Sequence, residues 1–355
     1  MTRSQHDFSF MSLAFAEAEK VKGKTLPNPP VGAVLVRNGK IVGRGGTRPA
    51  GQAHAEIVAL EKARGHTDGA VLYVTLEPCC HFGKTPPCTK ALIRAGVKKV
   101  VSACEDPNPK VAGKGFTELR RAGIEVEIGL GRERAEDFYE GFFFWARNGR
   151  PKIVAKIGQS LDGKINSSPG IRTDITGPEA RRFAHVLRAK CDAILIGGET
   201  LRADDPDLTP RLVRGATPEA LVLTQGGKLG SKFKLFAKNR SAKTVVLSPG
   251  NVLALPKWVE HIRLKNGKKS ALAKSLMRIF QDRGYHMVLL EGGRSIWTPF
   301  LNSGHCDTLH LLTAPKLMPK GERWDGYLAS GWAKTIEFHR FTALGQDYLT
   351  EFRRV

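Results

Sequence analysis

A chain of 355 residues with 41% hydrophobic and 8% aromatic side chains is long for one domain and natural for two, each able to bury a core. No apolar run reaches the roughly 18–20 residues of a membrane-spanning helix, and the start of the chain lacks a signal-peptide core, so a cytoplasmic protein with no membrane partner is expected. The net charge of +22 suits an anionic ligand, but Lys and Arg are spread out, with only short clusters such as Arg263, Lys265, Lys268 and Lys269; without a basic tail or interleaved aromatics, nucleic acid is not the expected substrate.

The pattern predicts a helix over residues 8–22, with Met11, Phe15 and Ala18 on one stripe. Pro27, Pro29 and Pro30 stop it. Strands are expected at 31–36 and 40–42 around Asn38-Gly39, a hairpin signal. A helix over 54–64, a strand over 70–76, a helix over 88–94, a strand over 98–104, a helix over 115–121 and a strand over 124–128 follow. This alternation predicts a layered α/β domain. An aromatic-rich helix over 133–147 ends at Asn148-Gly149-Arg150-Pro151, a breaker that places a domain boundary between 147 and 151.

The first half carries the sharpest chemical signal. Of six cysteines, three crowd residues 79–88, which in a reducing compartment reads as metal ligation. Cys104, Cys191 and Cys306 sit in or beside apolar runs and are expected in cores. His54, Cys79 and Cys88 supply one imidazole and two thiolates, leaving one tetrahedral position of a zinc ion open. An open position marks a catalytic site, where zinc brings the pKa of water to about 7. Glu56, two residues from His54, can sit beside that position without filling it and shuttle protons as general acid/base. This His-x-Glu, Pro-Cys…Cys order is that of zinc nucleobase deaminases, but eight residues separate Cys79 from Cys88. A structural zinc staple completed by Cys80 or His81 is the competing reading.

The second half restarts with a strand at 152–157, then a helix at 179–190 and strands at 193–196, 220–223 and 244–247. A helix at 272–283, a strand at 287–290, a helix at 294–301 and a strand at 308–313 complete the pattern. Glu291-Gly292-Gly293 before a helix makes a backbone nest that admits phosphate, and Gly197-Gly198 offers a second such turn. No G-x-G-x-x-G motif is present, so a Rossmann domain is not supported.

His54-Ala55-Glu56, the run from Leu76 to Cys88 with its long insert, and the stretches at 25–32 and 106–115 resemble the deaminase half of the bifunctional deaminase/reductase family of riboflavin biosynthesis. Residues 156–164, 187–209, 289–293 and 314–317 resemble its reductase half. The resemblance implies a cytidine-deaminase-like α/β/α domain over 1–147, followed by a dihydrofolate-reductase-like α/β domain over 151–355 that uses NADPH. The implied reactions are deamination of 2,5-diamino-6-ribosylamino-4(3H)-pyrimidinone 5′-phosphate, then reduction of the ribose of 5-amino-6-(5-phosphoribosylamino)uracil to ribityl. Asn28, Asp106 and Asn108 would bond the pyrimidine and Lys84 its phosphate. Lys156, Arg188, Asp204 and Arg211 would hold the reductase substrate. Ser160, Thr176, Gly197, Thr200, Glu291, Gly292 and Gly293 would hold NADPH. One zinc per chain and a homo-oligomer are further implications.

Three positions depart from the family pattern. Thr47 stands where a histidine is usual, Asp174 where an aromatic is frequent, and Met318-Pro319 where a glycine is expected. Two rival readings therefore stay open: a deaminase whose reductase half only binds substrate, and, from the charge, a nucleic-acid deaminase or binding protein.

Overall fold

Successive residues of a strand face opposite sides, and Ala33, Val34, Leu35 and Val36 are all buried; that strand must be covered on both faces. In the computed structural model, which describes residues 3–168, 173–265, 271–326, 328–329 and 331–355, it is. Lys268 and Lys269 of the short basic cluster lie outside the described residues. The chain packs as two units that divide between Arg150 and Pro151.

The first unit contains α1 (Arg3–Val21), β1 (Gly32–Arg37), β2 (Lys40–Gly46), α2 (Ala55–Lys62), β3 (Val71–Val74) and α3 (Cys88–Arg94). It continues with β4 (Lys99–Ser102), α4 (Lys114–Arg121), β5 (Glu125–Ile128), α5 (Arg132–Phe138) and α6 (Glu140–Asn148). The sheet order is β2-β1-β3-β4-β5; β1 runs antiparallel to both neighbours, while β3, β4 and β5 are parallel. Val34 and Val36 pack with Met11 and Phe15 of α1 and with Tyr139 and Phe142. Ala33 and Leu35 pack on the other face with Ala55 and Ala59 of α2, Leu92 of α3 and Leu119 of α4. These are the three expected α/β/α layers. The β1–β2 turn uses positive φ at both Asn38 and Gly39, the geometry that the Asn-Gly signal predicts. The aromatic helix is two helices, interrupted at Tyr139; that side chain is fully buried and shares a hydrogen bond with Thr75.

The second unit contains β6 (Lys152–Ser160), α7 (Pro178–Lys190), β7 (Ala193–Gly197), α8 (Gly198–Asp204), β8 (Glu219–Leu223), the two-residue β9 (Gly227–Lys228) and β10 (Thr244–Ser248). Then come the two-residue β11 (Val252–Leu253), β12 (Glu260–Arg263), α9 (Leu272–Asp282), β13 (Met287–Leu290), α10 (Arg294–Asn302), β14 (Thr308–Ala314), β15 (Ile336–Leu344) and β16 (Asp347–Arg354). The large sheet has the order β12-β10-β8-β7-β13-β6-β14-β16-β15. Strands β12 to β14 in that order are parallel, and the C-terminal hairpin is antiparallel. The central strands β7, β10 and β13 are buried throughout, which explains their unbroken apolar runs. The parallel arrangement brings the C-terminal ends of β6, β7, β8 and β13 to one edge, where ligands of open α/β sheets bind. Among the described residues, no helix is long and apolar enough to cross a membrane.

Candidate functional site

In the first unit, α2 begins at His54, its N-cap, and α3 begins at Cys88 behind Pro87. Cys79 follows β3. The Nδ1 of His54 lies 3.5 Å from Cys79 Sγ and 3.4 Å from Cys88 Sγ, and the three ligand atoms all lie within 4.8 Å of one another. The Cys88 N–H donates to Cys79 Sγ at 3.4 Å. Hydrogen bonding from Cys88, aided by His54, pulls the Cys79 thiol down to about 4. The shared proton and burial push Cys88 well above the ordinary thiol range. The hydrogen bond with Cys79 raises His54. A ready thiolate, a second sulfur and a ring nitrogen on one point fit zinc, with no fourth residue of the ligating types converging among the described residues. Cys80 bonds toward the Lys110 carbonyl at 3.9 Å instead, and neither it nor His81 joins the cluster among the described residues, so the staple reading lacks its fourth ligand. The other His54 nitrogen, Nε2, lies 3.4 Å from Thr85 Oγ1 in the insert, a partner that orients a metal-ligating ring and that sequence reasoning missed.

Glu56 is 3% exposed. Burial first, then the negative Cys79, raises its carboxyl to about 7, where a proton shuttle is most effective.

Behind these ligands Glu77 organises the loop that carries Asp106 and Asn108. Its Oε2 accepts the N–H groups of Asp106 (3.2 Å) and Gly113 (2.9 Å), and its Oε1 those of Gly115 (2.9 Å) and Phe116 (3.3 Å). Asp106 is buried, and that burial raises its carboxyl to about 7. Its Oδ1 accepts the Asn108 N–H at 2.8 Å, and Asn108 Oδ1 accepts the Lys110 N–H at 3.1 Å. The Asn108 side-chain carbonyl thus shapes a turn. Asn28 is half-buried, with no side-chain hydrogen bond among the described residues. Lys84 is exposed in the insert, beside Gly51 of the loop leading to His54. Thr47 is buried, and its hydroxyl bonds both the N–H and the carbonyl of Val31. Arg48 turns to Glu61 at 3.0 Å.

In the second unit a cleft of about 1670 Å³ opens at the strand C-terminal edge. Lys156, Thr176, Arg188, Gly197, Thr200, Asp204, Arg211, Glu291, Gly292 and Gly293 all line it. Ser160 is a correction: it is fully buried and not on that wall. Its hydroxyl donates to Asp162 at 2.6 Å and accepts the Lys164 N–H at 3.0 Å, closing a turn. Glu291 holds Arg188 at two points and pairs with Lys156 at 4.0 Å. Although burial opposes ionisation, these cations bring its carboxyl down to about 2. Its side chain is therefore an anchor for Arg188 and Lys156.

Gly292 has φ +111, and a Cβ there would stand 2.8 Å from Thr200 Oγ1; a Cβ on Gly293 would meet nothing within 4 Å. That gap at the start of α10 leaves backbone N–H groups open to an anion. Trp297 Nε1 and Thr298 Oγ1, on the same wall, are buried with no partner among the described residues. Both features fit a bound phosphorylated cofactor; the α10 pair went unread because it lies inside an ordinary amphipathic helix. The departures are absorbed locally: the Asp174 carbonyl accepts from Lys316 at 2.7 Å, and Met318 is buried with its N–H on Asp162 at 3.1 Å.

Residues 4–104 match the family model of the cytidine and deoxycytidylate deaminase zinc-binding region. Residues 151–350 match that of the RibD C-terminal domain. The riboflavin biosynthesis protein RibD of Aquifex aeolicus is 41% identical over 319 residues, covering 89% of this chain and 88% of its own. Its Escherichia coli counterpart is 37% identical over 329 residues, covering 89% and 90%. Among solved structures, a diaminohydroxyphosphoribosylaminopyrimidine deaminase/5-amino-6-(5-phosphoribosylamino)uracil reductase from Thermotoga maritima superposes with TM-score 0.76 at 33% identity over all of both chains. RibD of Acinetobacter baumannii gives 0.73 at 32% identity over 99% and 100%.

Proposed function

The chain belongs to the RibD family, the bifunctional deaminase/reductases of riboflavin biosynthesis, and from that premise we propose which residues carry each step. It is a deaminase that uses zinc and a reductase that uses NADPH. The observation that carries the residue assignment is the convergence of His54, Cys79 and Cys88 on one point, with Glu56 buried beside them.

His54, Cys79 and Cys88 would hold the zinc, which when bound would supply Lewis acidity toward a water. Glu56 takes one proton from the water and gives it to the ring nitrogen, then takes the second from the newly formed hydroxyl and gives it to the amino group, which leaves as ammonia; its raised pKa suits both directions. Asn28, Asp106 and the Asn108 amide present hydrogen-bonding groups to the pyrimidine, and Lys84 is placed to meet its 5′-phosphate. The domain 1–147 houses this chemistry and 151–355 the reduction.

When bound in the cleft, NADPH would supply the hydride equivalent for reduction at C1 of the opened ribose. Gly292 and Gly293 leave room for its phosphates, while Gly197, Thr176 and Thr200 line the same cleft. Arg211, which makes no ion pair among the described residues, meets the substrate phosphate. Lys156 and Arg188, steadied by Glu291, flank the sugar, and Asp204 orients its hydroxyls. We propose a phosphorylated pyrimidine small molecule as the substrate, and a homo-oligomer at work in the cytoplasm.

The test is a two-step assay on purified protein with the diamino-pyrimidinone phosphate. Ammonia release followed by NADPH oxidation is expected. Ammonia release alone would return the second unit to a binding role.

A further inference from the structure

The segment that carries Arg211 is hung on α7 by two side chains of that helix. The Leu212 carbonyl accepts from Arg182 Nη1 at 3.0 Å, and the Leu212 N–H donates to His185 Nδ1 at 3.5 Å. The His185 ring also makes a hydrogen bond with the Thr209 backbone. Leu212 itself is 47% exposed, so its side chain does little to fix the segment. His185, at 5% exposure, lies behind the cleft wall and touches none of its space.

We propose that His185 is a positioning residue: as a neutral imidazole it clamps residues 209–212 to α7 and so sets where Arg211 enters the cleft. An imidazole that accepts at Nδ1 must carry its proton at Nε2, and that N–H then serves the Thr209 carbonyl. A second proton on Nδ1 would face the Leu212 N–H, donor against donor. The surroundings oppose such a proton: burial first, then Arg188 on the same helix and Arg211 on the loop, with Glu291 after β13 pulling the other way. The clamp therefore works only in one protonation state, and the site holds it there. Among the described residues His185 makes no hydrogen bond or ion pair with Arg188 or Glu291, and its hydrogen bonds to the segment that carries Arg211 are to backbone.

The inference rests on Arg211 being the phosphate residue, and the experiment separates the two. KM and kcat are measured for the ribosylamino-uracil phosphate and for its dephosphorylated counterpart in wild type, His185→Phe, His185→Asn and Arg211→Ala. NADPH affinity by fluorescence and ammonia release by the first unit serve as controls. Phe keeps the ring and deletes both hydrogen bonds; Asn keeps an acceptor for Leu212. Arg211→Ala should erase the preference for the phosphorylated substrate. His185→Phe should raise KM for that substrate about tenfold while changing kcat, NADPH affinity and the dephosphorylated substrate little. His185→Asn should fall between Phe and wild type. If Arg211→Ala erases the preference and neither His185 variant moves KM, the clamp is refuted. Equal losses toward both substrates and NADPH would mark His185 as a packing residue and refute it too. An unchanged preference in Arg211→Ala would instead overturn the reading of Arg211.

Discussion

Arg188 and Glu291 meet at two points, Nε to Oε1 at 3.0 Å and Nη2 to Oε2 at 2.8 Å, with both side chains largely buried. A two-point guanidinium–carboxylate pair fixes direction as well as distance. It joins α7 to the turn after β13, two elements that bound the cleft. Removing the acid leaves a buried cation unpaired, which costs about 3–5 kcal/mol. Glu291→Ala should therefore lower the urea midpoint of the second unit and abolish reduction, with ammonia release by the first unit kept. Equal loss of both activities would contradict a role confined to the second unit.

The same pair gives the second unit a defined response to acid. Glu291 titrates at about 2, below its ordinary 4.5, so its contribution is complete above about 4.5 and vanishes as pH falls through about 2. That contribution is at most about 3 kcal/mol. His185 titrates at about 4, below its ordinary 6.5. A histidine favoured in its neutral form stabilises the fold above about 6.5 and loses that contribution as pH falls through 4. Both effects have one sign. Unfolding free energy of the second unit should fall from pH 6.5 downward, and less steeply in His185→Asn. Rising stability over that range would contradict the assignment of either group.

The layered α/β architecture and the clustering of His54, Cys79 and Cys88 were legible because they depend on local pattern and on residue type. Apolar runs between glycines mark buried strands, and a histidine with two cysteines has few other uses. The C-terminal hairpin was not read, because β15 alternates poorly and is exposed almost throughout. Ser160 was read as a ligand from the resemblance of residues 156–164 to the reductase half, yet its hydroxyl closes a turn on Lys164. Glu291 was read as a ligand from the glycines beside it; its partner Arg188 lies 103 residues away, a separation no local pattern spans. Thr85 and His185 were missed for the same reason.

At the zinc site the proton shuttle can be separated from the ligands. Glu56→Gln preserves His54, Cys79 and Cys88 and the shape of the buried acid, so one zinc per chain should remain by elemental analysis. Deamination should fall by about 10²–10⁴-fold, the usual weight of general acid–base catalysis. Cys88→Ser should lose zinc and deamination together. Chelation of the wild type should do the same, while reduction of supplied deaminated substrate continues in all three cases. Retained deamination in Glu56→Gln would transfer the shuttle to another group, with Asp106 the nearest candidate by burial and pKa.

Glu77 offers the last test, because it touches no ligand and yet sets the loop that ends in α4. Four backbone N–H groups point at its two oxygens. An amide in its place would aim an NH₂ group at two of those donors, leaving them unpaired at a cost of about 1–3 kcal/mol each. Glu77→Gln should therefore destabilise the first unit by a few kcal/mol and slow deamination by displacing Asp106 and Asn108, with zinc still bound. Gly115→Ala reaches the same loop by steric means: its Cβ would stand 2.2 Å from the Pro78 carbonyl oxygen, so α4 or the residues before Cys79 must shift. Both variants should raise KM for the diamino-pyrimidinone more than they lower zinc content. Zinc loss in step with activity would show instead that Glu77 supports the metal ligands rather than the substrate loop.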